Sequence, residues 1–500
     1  MSQSTSTVGR LEIIAFLSGA AVMVLEITGS RVMAPFLGTS IFVWTTLIGI
    51  IMASLSVGYW WGGRLADKNP SYMRLAAILF LACLGVTITA VSQRPFLTWL
   101  QEASIELRLS ALVATSLLFA PASTLMGMVT PYVVRLKLTS IESSGAAVGR
   151  LYAISTAGSI LGTFACGYFL LAWMGSSRIL YAIALLLLVL SFVAASEFRV
   201  GQRVSAVVFL VLAAGLAEFE AGQQAEAGFR DIDTAYQRLQ VIDGNEEKSG
   251  RPVRILKSEE ANTQSAIYLE GDELFSEYLH YFDLARFTGR PLRRVLMIGA
   301  AGYVYPMHLE REMPTLSIDV VEIDPAMTGI AKRYFGLKES PRLRIFDEDG
   351  RTFVNRAART SPGRYDAIFL DAFQTRVPPF QLLTHEFAQN LERLLSPGGI
   401  VALNFIARAD GSELGLGPSV IRTYSGALPS LQVFAVHPEE DREKVQNLVL
   451  LASRTPIEFD DAAWRDGTRL PRARLRGLPE AAGYLLSDDF APVEYLVSDR

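Results

Sequence analysis

The chain has 500 residues, half of them hydrophobic, with 46 Lys and Arg against 50 Asp and Glu and a formal net charge of −4. That length asks for two or three domains, and a near-neutral balance without a long basic run argues against nucleic acid as a partner. The two cysteines, Cys83 and Cys166, both stand in apolar runs and form no metal-ligand or redox spacing, so they say nothing about compartment.

Apolar residues are unevenly spread. Long apolar runs dominate up to residue 221, while 222–500 has the make-up of an ordinary soluble protein. A membrane-crossing helix needs about 20 apolar residues. Windows of that kind fall at 12–36, 41–61, 74–93, 110–134, 150–173, 178–196 and 204–221. The first is too long for a signal peptide, and other spans follow it. The expectation is a multi-span α-helical membrane domain of about seven helices over 1–221, embedded in the lipid bilayer of the cell membrane. Gly19, Ala20, Ala21, Ala157, Gly158 and Gly162 lie inside the spans and permit close helix contact in lipid. Glu26 and Arg31 are costly at membrane depth and read as an ion pair tying the first helix to a neighbour, ahead of a substrate or ion path. Residues 62–68 read as a polar turn and resemble the short basic loop of major facilitator transporters, but no internal repeat of the transporter kind is visible.

Residues 222–232 are polar and weakly patterned, as in a linker. Short strands at 236–242, 253–256 and 266–269 make a small β-element over 233–271. Leu274, Tyr278, Leu279 and Phe282 have helical spacing and predict a helix over 272–286.

Four apolar runs follow, at 294–302, 317–324, 346–350 and 365–371, each ending in Gly or an acid, with helix-like sequence between them. They read as a parallel α/β sheet, in which ligands sit outside the carboxyl ends of the strands. A fifth strand over 399–405 and an antiparallel pair at 431–436 and 446–452 complete seven strands. The predicted class is therefore an α/β, Rossmann-like, class I methyltransferase-like core over 272–455, followed by a less patterned C-terminal tail at 456–500.

The strand ends carry the chemistry. Gly299-Ala-Ala-Gly302 lets a nucleoside or phosphate approach backbone N–H groups, although the G-x-G-x-x-G fingerprint is absent. Glu322 stands 20 positions past Gly302, the distance at which an acid commonly accepts ribose hydroxyls. Asp349 and Gly350 suit an adenine amino group and its ring, or are a plain turn pair. Asp371 can face a reaction centre as a general base, or serve as a helix cap or ion-pair partner, and Pro378 and Pro379 shape the loop after it.

Together these residues resemble the spermidine synthase (polyamine aminopropyltransferase) family over 233–455, and the whole chain looks like the membrane-fused spermidine-synthase-like type. The resemblance implies that Gln237, Gly299, Glu322, Asp349, Gly350 and Pro378 hold the nucleoside, that Asp371 accepts the proton, and that Gln264, Glu277 and Gln374 line the amine side. It also implies decarboxylated S-adenosylmethionine as co-substrate, methylthioadenosine as product, and an amine such as putrescine as acceptor. Three positions depart from the family pattern: Gly302 and Gln374 stand where it has Asp, and Ser276 where it has His. Asp272, Glu273, Glu277 and Asp371 are the carboxylates left for a cationic amine. The rival readings are a methyltransferase using S-adenosylmethionine, and a transporter with a nucleoside- or polyamine-sensing domain. Homo-oligomerisation stays open.

Sidedness is contested within the sequence. Arg64, Lys68, Arg74, Arg135, Lys137, Arg150, Arg199 and Arg203 lie in short connections that should stay cytoplasmic, and seven spans would then put 222–500 outside. Adenosyl donors are made in the cytosol. With 204–221 lying in the interface instead, the soluble domain is cytosolic, the placement preferred on sequence.

Overall fold

The computed structural model describes residues 8–38, 40–68, 70–103, 105–138, 144–195, 204, 207–208, 211, 215, 229–234, 236–258, 263–372, 378–408, 415–437, 444–460 and 483–498. The chain divides into two compact units, Met1–Ala227 with Asp231–Arg238, and Gly228–Arg230 with Leu239–Arg500.

Among the described residues of the first unit, five helices are long and apolar enough to cross a membrane: Gly9–Ala34, Ile41–Lys68, Tyr72–Leu100, Gly145–Leu170 and Ser176–Ala194. A sixth crossing is a bent pair, Leu107–Leu118 and Ala120–Lys137, angled by 48°. The span expected over 110–134 is thus broken at Phe119, where the next helix restarts with Pro121 in its first turn, a position that tolerates a missing N–H. The span expected at 204–221 falls almost wholly outside the described residues. Residues 62–68 are not a turn but the end of the Ile41–Lys68 helix. Small residues act as expected: a Cβ on Gly158 would overlap the Phe16 carbonyl, and one on Gly162 the Ala20 backbone. The first helix and Ser144–Ala165 therefore touch backbone to backbone. Trp60, Trp61, Trp99, Tyr168 and Trp173 are exposed near helix ends, the pattern of interfacial aromatic belts.

The two ends of this bundle are distinguishable. Arg10 donates to the Val193 and Ala194 carbonyls at the carboxyl end of Ser176–Ala194. At that helix's other end, Asp233 accepts from the Ser176 backbone N–H, and Asp231 pairs with Arg94 at 3.1 Å. Residues 229–232, expected as linker, instead lie in strand β1 (Phe229–Asp233). An edge strand tolerates charged side chains that blur its sequence pattern.

β1 opens a four-stranded sheet of order β1-β2-β3-β4, with β2 (Arg238–Asn245), β3 (Pro252–Ser258) and β4 (Thr263–Tyr268), where β2–β3 and β3–β4 are antiparallel. The expected helix over 272–286 is shorter: Glu277–Phe282 is α-helical and Asp283–Phe287 is a 3-10 turn. Gly271 at φ 105° and a bridge from Leu274 to Ile267 hold the preceding residues extended.

The main sheet has seven strands: β5 (Arg294–Ile298), β6 (Ser317–Glu322), β7 (Leu343–Asp347), β8 (Tyr365–Leu370), β9 (Leu395–Arg408), β10 (Ser430–Ala435) and β11 (Val445–Ser453). Their order is β10-β11-β9-β8-β5-β6-β7. β5, β6, β7, β8 and β9 run parallel, while β11 and β10 are antiparallel additions. This is the expected methyltransferase-like α/β fold. The chain winds outward from β5 to β7, returns to β8 and winds the other way, so the switch point lies between β5 and β8, where such sheets bind ligands.

The C-terminal stretch is more than a tail. Residues 461–482 lie outside the description, but Leu486, Val493 and Val497 are buried in the core under the sheet. Leu486 bonds Thr423 and His385 through its backbone, and Asp488 pairs with Arg351 at 2.5 Å. Backbone and polar contacts of this kind leave no periodic apolar signal, which is why sequence pattern passed over them.

Candidate functional site

The turn after β5 sets the geometry. Gly299 has φ 79°, and a Cβ there would overlap the Asp371 carbonyl and the Ala372 backbone, so only glycine fits between β5 and β8. Ala301 (φ 44°) and Tyr303 (φ 58°) are also left-handed, and they are the two described non-glycine residues with positive φ. Each such position costs about 1–3 kcal/mol and persists only where its surroundings hold it. The holding groups are visible. Ala300 and Ala301 N–H donate to Glu322 Oε2 at 2.9 and 3.3 Å, Gly302 N–H donates to Ser265 Oγ on β4 at 2.9 Å, and Tyr303 N–H donates to the Ala300 carbonyl at 2.7 Å.

Glu322 ends β6 as expected, but its carboxylate is turned into the protein. Oε1 accepts from Asp324 N–H at 3.1 Å, and the residue is only 1% exposed. Burial raises its pKa, while the three backbone N–H groups pull the other way. Glu322 therefore pins the glycine turn.

Asp371 follows β8 across the switch point, its N–H bonded to the Ile298 carbonyl at 2.9 Å. Tyr278 Oη donates to Oδ2 at 2.8 Å, and Asn404 Nδ2, from β9, donates to Oδ1 at 3.0 Å. Asn447 Nδ2, from β11, donates in turn to Asn404 Oδ1 at 2.9 Å. The residue keeps some exposed surface, but its carboxyl lies deep enough that burial raises its pKa, and the two donors offset that only in part. Burial and the Asp371 charge push the Tyr278 phenol up. A carboxylate held on both oxygens, with raised basicity, is arranged to accept a proton. Sequence reading placed Tyr278 on the apolar face of a helix and Asn404 inside a strand. The only signal for Asn404 was one amide amid an otherwise apolar run.

The other expected residues divide. Asp349 is the N-cap of the Gly350–Thr360 helix, Oδ1 accepting from Thr352 N–H at 2.8 Å. β7 ends two residues earlier, at Asp347, so Asp349 caps a helix rather than ending a strand. Gly350 packs on Ile298, where a Cβ would collide. Pro378 is buried, while Gln374 lies outside the described residues. Gln264 on β4 bonds Ser258 at 3.1 Å, and its neighbour Ser265, which sequence reading missed, is the one that reaches the glycine turn. Gln237 is on the hairpin that groups with the first unit, its side-chain nitrogen buried without a hydrogen-bond partner. Glu277 is exposed and faces His437 at 3.5 Å and Lys248 at 4.0 Å. Asp272 and Glu273 are likewise exposed and paired, with Arg311 and Arg251. These three carboxylates therefore form surface ion pairs, and none is hydrogen-bonded to the Asp371 cluster. A cavity lined by Arg290, Arg293, Asp366 and Ser396 opens at the amino ends of β5 and β8, the opposite edge from the ligand side of such a sheet.

Against known protein families, residues 283–405 match the spermine/spermidine synthase domain. The match spans β5 to most of β9 and so contains Glu322, Asp349, Asp371 and Asn404, while Gln237, Gln264, Glu277 and Tyr278 lie before it. The chain is 37% identical over 118 residues to a polyamine aminopropyltransferase of Vibrio vulnificus (strain CMCP6), covering 24% of this chain and 39% of that one. It is 29% identical over 153 residues to the eEF1A lysine and N-terminal methyltransferase of Homo sapiens, covering 29% and 21%. The chain thus spans less than half of either relative. The crystal structure of spermidine synthase from Thermotoga maritima aligns at 19% identity and a TM-score of 0.36, over 48% of this chain and 78% of that one.

Proposed function

We propose that this protein is a membrane-anchored transferase that uses an adenosyl donor at the carboxyl edge of the β5–β8 sheet. The observation that carries the reading is Asp371, gripped by Tyr278 and Asn404 beside the Gly299 turn. In the aminopropyl form of the reaction, an amine nitrogen attacks the aminopropyl carbon next to sulfur in decarboxylated S-adenosylmethionine. The C–N bond forms, the C–S bond breaks and methylthioadenosine leaves. Asp371 takes the ammonium proton. Gly299, Glu322, Asp349, Gly350 and Pro378 are the nucleoside side, and Gln264, Glu277 and Gln374 the acceptor side. Placing donor and acceptor in line supplies much of the rate.

A specific observation favours a second reading, methyl transfer from S-adenosylmethionine. Asp272, Glu273 and Glu277 are exposed and bound to cations, which leaves a dicationic amine few partners. Incubating the purified full-length protein with each labelled donor and a panel of amines separates the two. Labelled aminopropyl product supports the first, labelled methyl product supports the second, and neither product removes both.

The anchor is the helical first unit, with five apolar helices and the bent pair as its spans. We place the sheet domain in the cytosol, where adenosyl donors are made. Arg10 and the Asp231–Arg238 hairpin mark opposite ends of the bundle. A cytosolic hairpin then goes with an N-terminus on the far side. That arrangement reverses the usual Lys and Arg bias, which makes sidedness the part of the reading most exposed to test.

A further inference from the structure

Asp371 does not stand on its two immediate donors alone. Asn404 reaches it from β9, and an amide at that position can face either way, with oxygen or with nitrogen toward the carboxylate. Only the nitrogen-first orientation is productive, because an amide oxygen 3 Å from a carboxylate oxygen would be repulsive. The orientation is fixed from behind. Asn447, one strand further out on β11, donates its Nδ2 to Asn404 Oδ1 at 2.9 Å, which leaves Asn404 Nδ2 free to donate to Asp371 Oδ1 at 3.0 Å. The strands set this up: β8 pairs with β9 and β9 with β11, so Asp371, Asn404 and Asn447 step across three adjacent strands near one edge of the sheet. Asn404 is only 4% exposed and lies in a run of β9 whose neighbours, Leu403 and Phe405, are fully buried. A buried amide in such a run costs stability unless bonded, and here both side-chain bonds of Asn404 lie on the line from Asn447 to Asp371.

We infer that Asn404 and Asn447 are positioning residues that act in series to aim and hold the Asp371 carboxylate, with Asn447 acting only through Asn404. This rests on Asp371 being the proton acceptor proposed above, and it adds two residues whose removal should change proton transfer and leave donor binding alone. Losing the Asn404 N–H removes a bond that favours the ionised carboxylate, so Asp371 becomes harder to ionise.

The test compares wild type with Asn404→Leu, Asn447→Leu, the double variant and Asn447→Ser, all full-length. Turnover is read against pH, and methylthioadenosine binding by calorimetry. Asn447→Leu is expected to lower kcat about tenfold, leave methylthioadenosine binding unchanged and move the acid limb of the rate profile to higher pH. Asn404→Leu does the same more strongly. The double variant is no worse than Asn404→Leu alone, since the residues act in series. Asn447→Ser, which keeps a donor, recovers part of the rate. Additive losses with an unmoved pH limb would show a merely structural role and overturn the inference. If wild type turns over no donor, the reaction reading fails, and the relay is read instead by thermal unfolding against pH. The loss of stability as Asp371 ionises should extend to higher pH and be larger in Asn404→Leu and Asn447→Leu. Curves parallel to wild type would overturn the relay. A variant that fails to fold is replaced by Asn447→Ser, whose pH limb must then lie between wild type and neutral loss, or the relay is rejected.

Discussion

Tyr278 Oη donates to Asp371 Oδ2 at 2.8 Å, joining the Glu277–Phe282 helix to the end of β8. Tyr278 lies outside the residues that match the synthase domain, while Asp371 lies inside them. The bond means that the segment ahead of the main sheet helps to set the basicity of the group at its switch point. Tyr278→Phe keeps the ring and its edge contact with Phe282 but removes the donor. A hydrogen bond to a charged group is worth about 1.5–3 kcal/mol, so kcat should fall roughly tenfold to a hundredfold with methylthioadenosine affinity unchanged. Steady-state kinetics beside calorimetry reads both quantities, and a fall in affinity alone would place Tyr278 on the nucleoside side instead.

The raised pKa of Asp371 makes a separate prediction for stability. With a folded pKa above its ordinary value of 3.8, the carboxyl's contribution to stability is fully present below that value and is lost as pH rises through the folded pKa. Asp371→Asn cannot ionise and escapes the loss. The melting temperature of Asp371→Asn relative to wild type should therefore climb from about pH 4 upward and level off once wild-type Asp371 is ionised. A difference independent of pH would mean that Asp371 is not held in a raised state.

Glu322 serves the glycine turn first. Glu322→Gln exchanges one acceptor oxygen for an NH₂ group facing the backbone donors of Ala300, Ala301 or Asp324. Leaving a buried donor unsatisfied costs about 1–3 kcal/mol, and thermal unfolding at neutral pH should show a loss of that size. Methylthioadenosine binding should weaken with it, because the turn proposed to receive the nucleoside loses its clamp. Full stability with weakened binding would assign Glu322 to the ligand alone.

The left-handed backbone at Ala301 gives a test in the opposite direction. Glycine adopts φ 44° without a Cβ penalty, so Ala301→Gly should be neutral or stabilising by up to about 1 kcal/mol, the relieved strain outweighing the added freedom of the unfolded chain. A β-branched residue suffers most there, and Ala301→Val should destabilise by about 1–3 kcal/mol. Unfolding midpoints in denaturant decide this. An equal response to Gly and Val would mean the turn is not strained.

Much of this was legible in the sequence, for identifiable reasons. Strands β5, β6 and β8 each bury nearly continuous runs and stop at a Gly or an acid, so both their existence and the position of Glu322 and Asp371 could be read from pattern, while β7, at the sheet edge, buries only Leu343. The same rule misread what those acids do. Glu322 bonds backbone amides two and twenty-odd residues away, and Asp349 caps a helix, and neither contact leaves a trace in spacing. Tyr278 was hidden because one phenol serves both as apolar surface and as a donor. The membrane helices announced themselves by length, but the break at Phe119 left only Pro121 as a signal, and window hydropathy does not weigh a single proline.

Sidedness can be settled by cysteine labelling. Single cysteines introduced at Ser6 and at Tyr236, with Cys83 and Cys166 replaced by Ala, report the two ends of the first unit in sealed vesicles. A membrane-impermeant maleimide should reach one position and not the other. Labelling at Ser6 alone in right-side-out vesicles supports the cytosolic sheet domain. Labelling at Tyr236 alone puts the domain outside, where a cytosolic donor cannot reach it.

The most direct test of the central claim is single-turnover transfer by the purified full-length protein. Wild type and Asp371→Asn are each incubated with decarboxylated S-adenosylmethionine labelled in the aminopropyl group, or S-adenosylmethionine labelled in the methyl group, together with an amine panel. The account predicts label moving from one donor to an amine in wild type, and a loss of roughly 10²–10⁴-fold in Asp371→Asn while methylthioadenosine binding persists. Transfer at an equal rate in both proteins, or no transfer from either donor by a wild type that binds methylthioadenosine, would contradict it.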